Sequence, residues 1–448
     1  MGFFNLLGKF LMAGVTAQAN WEKSLSSTIL RSRKRLLILA LLIVPIFLVS
    51  YALAADGGVS LPDAVGSHEA YGPSEYTMVV FLGAIVVGLI AGLITGCIGA
   101  GGGFIITPAL MSIGVKGIMA VGTDLFHIFA KAIMGATLHG KMGNINVRIA
   151  AFFVGGSIAG ATLGGIINRT LYERDPILSD AFITTVYVII LTALGVYAMS
   201  DYLKSRKKGD TGGVHGGDDS GEIGNLPRKL QSFNFPPMIR FDQHLVPGGN
   251  RISWIFLVFA GFIVGITAAI MGVGGGFLFF PMFVYGLGVS STTTVGTDIF
   301  QIIFTAGYAA IAQYAVYGFI FYTLAMGMLL GSLVGIQIGA MVTKVVPGVA
   351  IRGFYAMAVL AGAVNRLFAL PGKLGDMDVL PISGSVGNLL DTIGTVLFFI
   401  IVGGFGVWVI TTFVRNIGVL RGAQAERHAP ALEEQASTTL AVSQEEDT

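Results

Sequence analysis

The fold of this chain is decided by a stretch that reads Gly99-Ala100-Gly101-Gly102-Gly103-Phe104-Ile105-Ile106-Thr107-Pro108 and recurs as Gly272-Val273-Gly274-Gly275-Gly276-Phe277-Leu278-Phe279-Phe280-Pro281. About a dozen residues further on, each copy is followed by a second shared string, Val121-Gly122-Thr123-Asp124-Leu125-Phe126 and Val295-Gly296-Thr297-Asp298-Ile299-Phe300. Both copies lie in apolar segments, where a glycine cluster allows a membrane helix to break. Broken helices at matching positions of two halves are the best sequence indication of a transporter binding site.

The composition is that of a membrane protein. Of the 448 residues, 54% are hydrophobic and 12% are charged, whereas an ordinary soluble domain has roughly 25% charged residues. The net charge is only +2, and no basic stripe with interleaved aromatic residues is present, so the sequence indicates no nucleic-acid partner. The single cysteine, Cys97, rules out an intramolecular disulfide bond.

The N-terminal part predicts one helix ahead of the repeated region. Residues 1–35 have a pattern compatible with a cytoplasmic segment at the membrane interface. The basic residues at 31–35 precede an apolar run at 36–55, which is long enough to span a bilayer as an extra transmembrane helix. Because cytoplasmic loops collect positive charge, we expect a cytoplasmic N-terminus and an external acidic loop after this helix.

Two groups of five apolar segments follow. The first group covers residues 77–203 and the second covers 252–370, each with one short segment directly after its glycine cluster. The residues between them, 204–251, are basic and rich in Gly, Asp, Ser and Pro, which predicts a solvated cytoplasmic linker or small insertion. Five crossings separate the two starts, so the halves are expected to enter the bilayer from opposite sides.

A final transmembrane helix is predicted at 391–414, and residues 415–448 form a polar, acidic cytoplasmic tail of a composition typical of disorder. The predicted fold is therefore an all-α polytopic membrane protein with two inverted-topology repeats. Its helices are discontinuous or short at the glycine-rich breaks, and one extra helix precedes the repeats.

The glycine clusters predict an anion site. Three glycines in a row let the backbone leave helical geometry and let a ligand approach its amides. Where the helix resumes, the first N–H groups have no intrahelical partner and the helix dipole is positive, which suits an anion. Inverted halves would bring two such ends together near mid-membrane. The candidate substrate-binding residues are Gly101, Gly102, Gly103, Gly274, Gly275 and Gly276.

The Gly-Thr-Asp strings add four polar candidates. An ionisable residue inside a membrane segment is a functional candidate by default, and Thr123 and Thr297 can hydrogen-bond a ligand oxygen. The threonines and aspartates can equally cap a helix that begins there. Asp124 and Asp298 therefore stay open between a structural role and a direct role in coupling, since a carboxylate repels a bound anion unless it is protonated.

The two copies differ after the aspartate. His127 and Lys131 follow Asp124, whereas Gln301 and no charged residue follow Asp298. The spacings of three and four place the first trio on one helix face. In this trio the aspartate and the lysine either neutralise each other in a structural role, or the trio lines the site of one half with titratable and cationic groups. We therefore add His127 and Gln301 to the binding candidates. The coupling candidates are Asp124, His127, Lys131 and Asp298.

Two further patterns are assigned to structure. Glycines at four-residue spacing form one trio at 156, 160 and 164 and a second at 331, 335 and 339. Such trios are typical of close-packing faces between membrane helices. Arg352 and Arg366 are interpreted as interface anchors at helix ends.

The duplicated glycine, Phe and Pro string, the Gly-Thr-Asp strings, Gly143-Asn144-Ile145-Asn146 and the glycine-spaced helix together resemble the sulfite exporter TauE/SafE family of bacterial and archaeal membrane transporters. The resemblance covers about residues 77–203 and 252–414. It implies a permease of two inverted halves that moves sulfite or small organosulfonates, with substrate at Gly101–Gly103, Thr123, Asp124, Gly274–Gly276, Thr297 and Asp298. The N-terminal segment, the linker and the tail lie outside the family pattern.

The function predicted from these features is secondary transport of a small sulfur-containing anion by alternating access, in the outward direction. The alternative is a cation or metal-ion transporter with Asp124 and Asp298 as ligands. Enzymatic activity is not expected, because neither the His-Glu-x-x-His nor the Gly-x-Ser-x-Gly motif is complete. We predict no cofactor, no bound metal and a multi-pass location in a bacterial or archaeal cytoplasmic membrane with both termini inside. The sequence is compatible with a homo-oligomer.

Overall fold

The computed structural model describes residues 78–98, 102–141, 145–208, 225–242, 249–342, 345–346 and 348–417. The predicted interfacial segment, the extra helix at 36–55 and the tail after residue 417 lie outside the described residues. Gly101 does as well.

The first repeat contains a full-length helix, a short helix and three longer helices. They are α1 (Met78–Ile98), α2 (Gly103–Ser112), α3 (Gly117–Lys141), α4 (Val147–Arg174) and α5 (Pro176–Lys208). The last of these continues past residue 203, the predicted end of the repeat. Pro108 lies inside α2, where it leaves no N–H to continue the hydrogen-bond ladder.

Part of the predicted linker is folded. It contains α6 (Asn225–Gln231) and two antiparallel strands, β1 (Met238–Phe241) and β2 (Asn250–Ser253). Ile239 pairs with Ile252, and both are buried with Phe241 in one apolar cluster with side chains of the second repeat. Residues 225–242 and 249–253, here called the linker cap, thus form a small folded insertion rather than a solvated linker, because alternate residues of β1 are apolar and pack on a hydrophobic surface.

The second repeat follows the same order. It consists of α7 (Trp254–Met271), α8 (Gly276–Pro281) with a π-helical continuation at Met282–Leu287, α9 (Ser291–Tyr308) with π-helical and 3₁₀ continuations at Ala309–Tyr314 and Ala315–Tyr317, α10 (Tyr322–Val342) and α11 (Gly348–Asp376). The last helix is α12 (Gly384–Arg415). Five elements in each repeat therefore match, and α12 lies outside the duplication.

Matching helices of the two repeats run antiparallel. Near the start of α3, Gly122 contacts Tyr314, which follows α9, and near the middle of α3, Phe129 contacts Gly307. The α5 and α11 helices also pack antiparallel, since Asp180 near the start of α5 is bonded to Lys373 near the end of α11. Opposite directions of equivalent helices require a two-fold axis perpendicular to them, which confirms the predicted inverted repeats.

The first helix of each repeat packs in parallel on the fourth helix of the other. A Cβ added to each glycine of the α4 trio would meet the backbone of α7, in the order Val258, Phe262 and Ile266. The α10 trio meets the backbone of α1 in the order Ile85, Leu89 and Leu93. Both glycine trios are thus confirmed as close-packing faces, since no side chain fits between these helices.

Within the described part of the chain, seven helices are long and apolar enough to cross a membrane. They are α4, α5, α7, α9 with its continuation, α10, α11 and α12. Shorter apolar helical stretches occupy α1 and α2. The protein is therefore a multi-pass membrane protein built almost entirely from helices.

Candidate functional site

Both half-helices, α2 and α8, begin directly after a glycine in the left-handed region. Gly102 precedes α2 with φ 74°, and Gly275 precedes α8 with φ 87°. Residues with a side chain rarely adopt this conformation, so the backbone reversal depends on glycine at both places. The helix breaks predicted from the glycine clusters therefore lie at equivalent points of the two repeats.

The two breaks meet in the interior. A Cβ on Gly103 would stand 2.8 Å from the Cα of Val273, and one on Gly274 would stand 2.8 Å from Cγ2 of Ile128 on α3. Directly after the breaks, the rings of Phe104 and Phe277 have centroids 6.4 Å apart. The two repeated strings thus form one central region rather than two separate ones.

Each aspartate of the repeated strings lies beside the first residue of its own half-helix. A Cβ on Gly103 would stand 3.3 Å from Oδ2 of Asp124, and one on Gly276 would stand 3.0 Å from Oδ2 of Asp298. Asp124 is 0% exposed and Asp298 is 5% exposed. A carboxylate near a helix N-terminus interacts favourably with the helix dipole, so each break already holds an acidic group of the protein.

The two threonines bond the opposite repeat. Thr123 Oγ1 accepts from the backbone N–H of Phe321, 2.9 Å away and just before α10. Thr297 Oγ1 accepts from the N–H of Asn146, the N-cap residue of α4, at 3.1 Å. Both threonines lie inside their helices, so neither caps a helix beginning there. Each contributes an acceptor at the N-terminus of a helix in the other half.

In the first copy, the aspartate connects three helices. Oδ2 of Asp124 accepts from Thr107 Oγ1 on α2 at 3.0 Å. Its Oδ1 lies 3.7 Å from Nδ1 of His127, whose Nε2 is 3.0 Å from Ser332 Oγ on α10. Among the described residues, Asp124 Oδ1 and His127 Nδ1 have no hydrogen-bond partner. The first copy is therefore an incompletely bonded polar cluster, although all its side chains are buried.

Lys131 extends this cluster towards the first break. Its Nζ donates to Thr95 Oγ1 on α1 at 3.4 Å, and this hydroxyl would lie 2.7 Å from a Cβ on Gly102. The side chain of Lys131 is buried, with a residue exposure of 8%. A buried ammonium close to the start of α2 adds positive charge to the same end of the half-helix.

The second copy is a closed chain of hydrogen bonds. Gln301 Nε2 donates to Asp298 Oδ1 at 2.8 Å, and Gln301 Oε1 accepts from Thr305 Oγ1 at 2.6 Å. Thr305 Oγ1 is in turn 2.7 Å from Ser157 Oγ on α4. Gln301 and Thr305 stand where the first copy has His127 and Lys131, so the second copy carries no cationic side chain at these positions.

Ser157 and Ser332 were not identified from the sequence. Each directly follows the first glycine of a trio, Gly156 and Gly331, and each contacts the polar chain of the opposite repeat. The matching Gly-Ser pairs were the signal that could have found them. A serine in a glycine-spaced face is small enough to preserve close packing and still offers a hydroxyl.

Three buried polar side chains at the end of α7 were also missed. Asn168 donates to the carbonyls of Ala269 and Ile270, at 3.4 and 3.2 Å. Tyr314 donates to Ala269 O at 2.5 Å, and Tyr187 donates to the carbonyl of Met271. These donors satisfy carbonyls that the helix leaves unpaired where the second glycine cluster ends it.

The interpretation of two arginines as interface anchors is wrong. Arg366 is 1% exposed and Arg352 is 7% exposed. The guanidinium of Arg366 donates to the carbonyl of Pro108 at 3.2 Å and to Ser112 Oγ at 2.6 Å. Since both acceptors lie in the second half of α2, the arginine holds the negative end of this half-helix dipole.

The structure thus gathers most of the predicted site residues around the paired breaks, and Gly101 lies outside the described residues. In the described ranges no group of three or more His, Cys, Asp or Glu side chains is placed to hold a metal ion. What the site offers is a pair of half-helix starts, the buried side chains of one lysine, one histidine and two aspartates, and several hydroxyls.

Comparison with known proteins gives a family match. A family model described as Sulfite exporter TauE/SafE matches residues 84–366. The chain is 28% identical over 262 residues to "Probable membrane transporter protein YjnA" of Bacillus subtilis, covering 57% of this chain and 87% of the relative. It is 23% identical over 272 residues to "Probable membrane transporter protein YunE" of the same organism, covering 59% and 89%.

An archaeal relative extends the match. The chain is 26% identical over 206 residues to "Probable membrane transporter protein MJ0441" of Methanocaldococcus jannaschii, covering 44% of this chain and 59% of the relative. No solved structure gives a significant match. The region matched by the family model, residues 84–366, includes both glycine breaks and both Gly-Thr-Asp helices.

Proposed function

The chain belongs to the sulfite exporter TauE/SafE family of membrane transporters, and on that premise we propose that it exports sulfite or a small organosulfonate by alternating access. The anion is held between the starts of α2 and α8. The membrane is a bacterial or archaeal cytoplasmic membrane, with both termini on the cytoplasmic side. The family and the named relatives are membrane transporters and not enzymes, as expected from the sequence.

The observation that carries the proposal is the contact between the breaks. Gly103, the first residue of α2, lies against Val273, which belongs to the glycine string before α8. Inverted repeats place a site of this kind at their interface, where two half-helix starts offer backbone N–H groups to an anionic substrate. The sulfonate and sulfite groups carry several oxygen acceptors, which suits a set of converging amide donors.

The electrostatics of the first break support an anion. Lys131 brings an ammonium to Thr95, beside Gly102, and the helix dipole adds a partial positive charge there. The carboxylate of Asp124 lies at the same place and repels an anion while it is ionised. A cation carried between Asp124 and Asp298 remains the alternative prediction.

The packing supports a rocking motion. One unit consists of α1 and α10 and the other of α4 and α7, and each is joined by glycine faces that admit no side chain. We expect each pair to move as a rigid body, because closely packed interiors have low compressibility. We propose that these two units rock about the antiparallel α3 and α9 helices, so that the region between the breaks opens to either side in turn.

The test is flux through the purified protein in liposomes. Saturable transport of labelled sulfite or sulfoacetate is expected from the wild-type chain. Gly102→Leu and Gly275→Leu should each reduce the rate at least about tenfold, because a side chain is strained at these positive φ angles and would fill the break. Gly155→Leu is the matched control, since a Cβ at Gly155 meets nothing within 4 Å.

Absence of saturable anion transport by the wild-type protein would overturn the proposal. Transport that is unaffected by both substitutions in the breaks would overturn the assignment of the site. Saturable flux of a divalent cation, lost in Asp124→Asn and Asp298→Asn, would establish the alternative instead.

A further inference from the structure

Asp124 holds a position that conflicts with the anion site. Its Oδ2 lies beside Gly103, at the start of α2, where a bound anion would meet the first amides. The corresponding Oδ1 has no hydrogen-bond partner among the described residues, although the side chain is fully buried. An ionised carboxylate here repels an incoming anion at short range, in a medium that screens charge poorly.

The charge balance of Asp124 and Lys131 also disfavours anion binding while Asp124 is ionised. With Asp124 ionised and Lys131 protonated, the two side chains sum to zero, so a bound monovalent anion leaves one uncompensated negative charge. With Asp124 protonated, the ammonium and the anion balance. A buried charge without a partner is costly. With a monovalent anion bound, the site is neutral only after Asp124 has taken up one proton.

His127 is placed to exchange that proton with Asp124. Its Nδ1 is 3.7 Å from Asp124 Oδ1, and neither atom has a hydrogen-bond partner among the described residues. The other nitrogen, Nε2, is held by Ser332 on α10 at 3.0 Å. The ring is thus fixed on one side and faces the carboxylate on the other.

The surrounding elements contribute few other titratable groups. Tyr187 on α5 interacts electrostatically with Asp124, while its hydroxyl donates to the carbonyl of Met271. Asp298 on α9 is bonded to Gln301, and Arg366 on α11 is bonded to the far half of α2. The groups beside Asp124 that carry or exchange charge are therefore His127 and Lys131, with Thr107 donating from α2.

We propose that Asp124 is the proton-binding residue of the anion site, that its protonation through His127 is required for the anion to bind at the start of α2, and that one proton therefore accompanies each anion. The inference rests on the proposed function and adds its coupling. It assigns the coupling to the first repeat alone, because Asp298 already has its Oδ1 bonded to Gln301 and has no histidine or lysine on its helix face.

The test is isothermal titration of the reconstituted full-length chain with methanesulfonate, a monovalent anion, in pairs of buffers that differ in ionisation enthalpy. Methanesulfonate keeps one negative charge over the range used, whereas sulfoacetate carries a second charge on its carboxylate and sulfite changes its own protonation. We expect uptake of close to one proton per anion at alkaline pH. The affinity should fall about tenfold for each added pH unit there.

Asp124→Asn keeps the shape of a protonated acid and should bind the anion without proton uptake and independently of pH. His127→Gln installs the residue found at Gln301, and should keep the binding stoichiometry while slowing flux after a pH jump. Asp298→Asn should still take up a proton. Asp180→Asn, at the α5–α11 pair, serves as a control outside the site.

Wild-type binding without proton uptake would overturn the inference by itself, whether or not any variant folds. Unchanged uptake in Asp124→Asn, or its loss in Asp298→Asn instead, would overturn it as well. If the wild-type chain binds none of methanesulfonate, sulfoacetate and sulfite at any pH, the proposed function fails, and the inference fails with it.

Discussion

The two copies of the glycine break share a backbone and differ in their chemistry. Both half-helices begin after a left-handed glycine, and both have an aspartate beside their first residue. Around Asp298 the hydrogen bonds close through Gln301 and Thr305 to Ser157. Around Asp124 they stay open, with a histidine and a lysine on the same helix.

This difference points to different roles for the two copies, although their backbones are related by symmetry. Duplication supplies matching helices and packing faces, so the two halves can support the same motion. A closed chain of neutral partners holds its aspartate in place, whereas an open cluster with ionisable neighbours responds to charge. Under the proposed coupling, substitution at two positions of a repeated helix assigns charge handling to one half.

The largest expected effect tests the symmetric part of the comparison. Gly156→Leu and Gly331→Leu each put a side chain against a neighbouring helix backbone, where the contact of the glycine with that backbone leaves no space. Overpacking costs about 1–3 kcal/mol even where side chains can shift, and here the obstacle is backbone. Both variants should lose most folded protein, measured as monodisperse yield and unfolding temperature in detergent.

Gly155→Leu, one residue from Gly156 but with nothing within 4 Å of its Cβ, should keep the wild-type yield. If only one of Gly156→Leu and Gly331→Leu loses its folded protein, the two glycine faces are not equivalent, and the two repeats do not share one symmetric packing.

The prediction with an intermediate effect concerns how the Gly-Thr-Asp helices of the two repeats are stabilised at their first residues. Asp242 of the linker cap accepts from Ser290 N, Ser290 Oγ and Thr293 Oγ1, at 2.7, 2.7 and 2.6 Å. Because loss of such a cap costs about 0.5–2 kcal/mol, Asp242→Asn should lower stability by about 1–2 kcal/mol. Hydrogen exchange should then accelerate in the first turn of α9.

The matched substitution in the first repeat is Asp180→Asn. Asp180 accepts from Gly117 N at 2.8 Å and pairs with Lys373 at 3.2 Å, with side chains 20% and 24% exposed. A partly exposed pair contributes about 0–1 kcal/mol, so the loss should be smaller and confined to the start of α3. Equal losses would show that the linker cap stabilises the start of α9 no more than Asp180 stabilises the start of α3.

The smallest effect tests the closed chain against the open cluster. Gln301→Leu removes two hydrogen bonds, to Asp298 and to Thr305, whereas His127→Leu removes one hydrogen bond, to Ser332. Measured between membrane helices, a side-chain hydrogen bond contributes about 0.6 kcal/mol on average, and we take the same scale for the two bonds within α9. The glutamine variant should therefore lose about 1 kcal/mol and the histidine variant about half of that, compared by thermal unfolding.

A larger loss for His127→Leu would mean that the first cluster is the better-bonded one, contrary to the hydrogen bonds of the two copies. Ser157→Ala and Ser332→Ala provide a check on the same scale, since each removes one terminal hydroxyl of its chain.

Much of this arrangement was predictable from the sequence. Apolar segments of membrane-spanning length determine helices, because backbone groups must be satisfied within the segment in lipid. Two matching glycine clusters fixed the breaks at Gly102 and Gly275, since few other residues adopt positive φ. The parity of the crossings between the two copies gave the inverted relation of the repeats.

The tertiary structure decided which groups meet. Thr123 and Thr297 bond the start of a helix in the opposite half, and Arg366 reaches α2 across 258 residues of chain. Neither contact follows from spacing along one helix, because long-range pairing depends on which faces pack. The linker cap likewise needed the apolar surface of the second repeat before its short strands became buried. The sequence therefore determined the helices, the breaks and the inversion, which depend on local backbone chemistry and segment length. The bonds of Asp298 through Gln301 to Thr305 also follow from helical spacing, whereas only packing decided that Ser157 ends that chain and that Thr107 and Ser332 meet the first cluster.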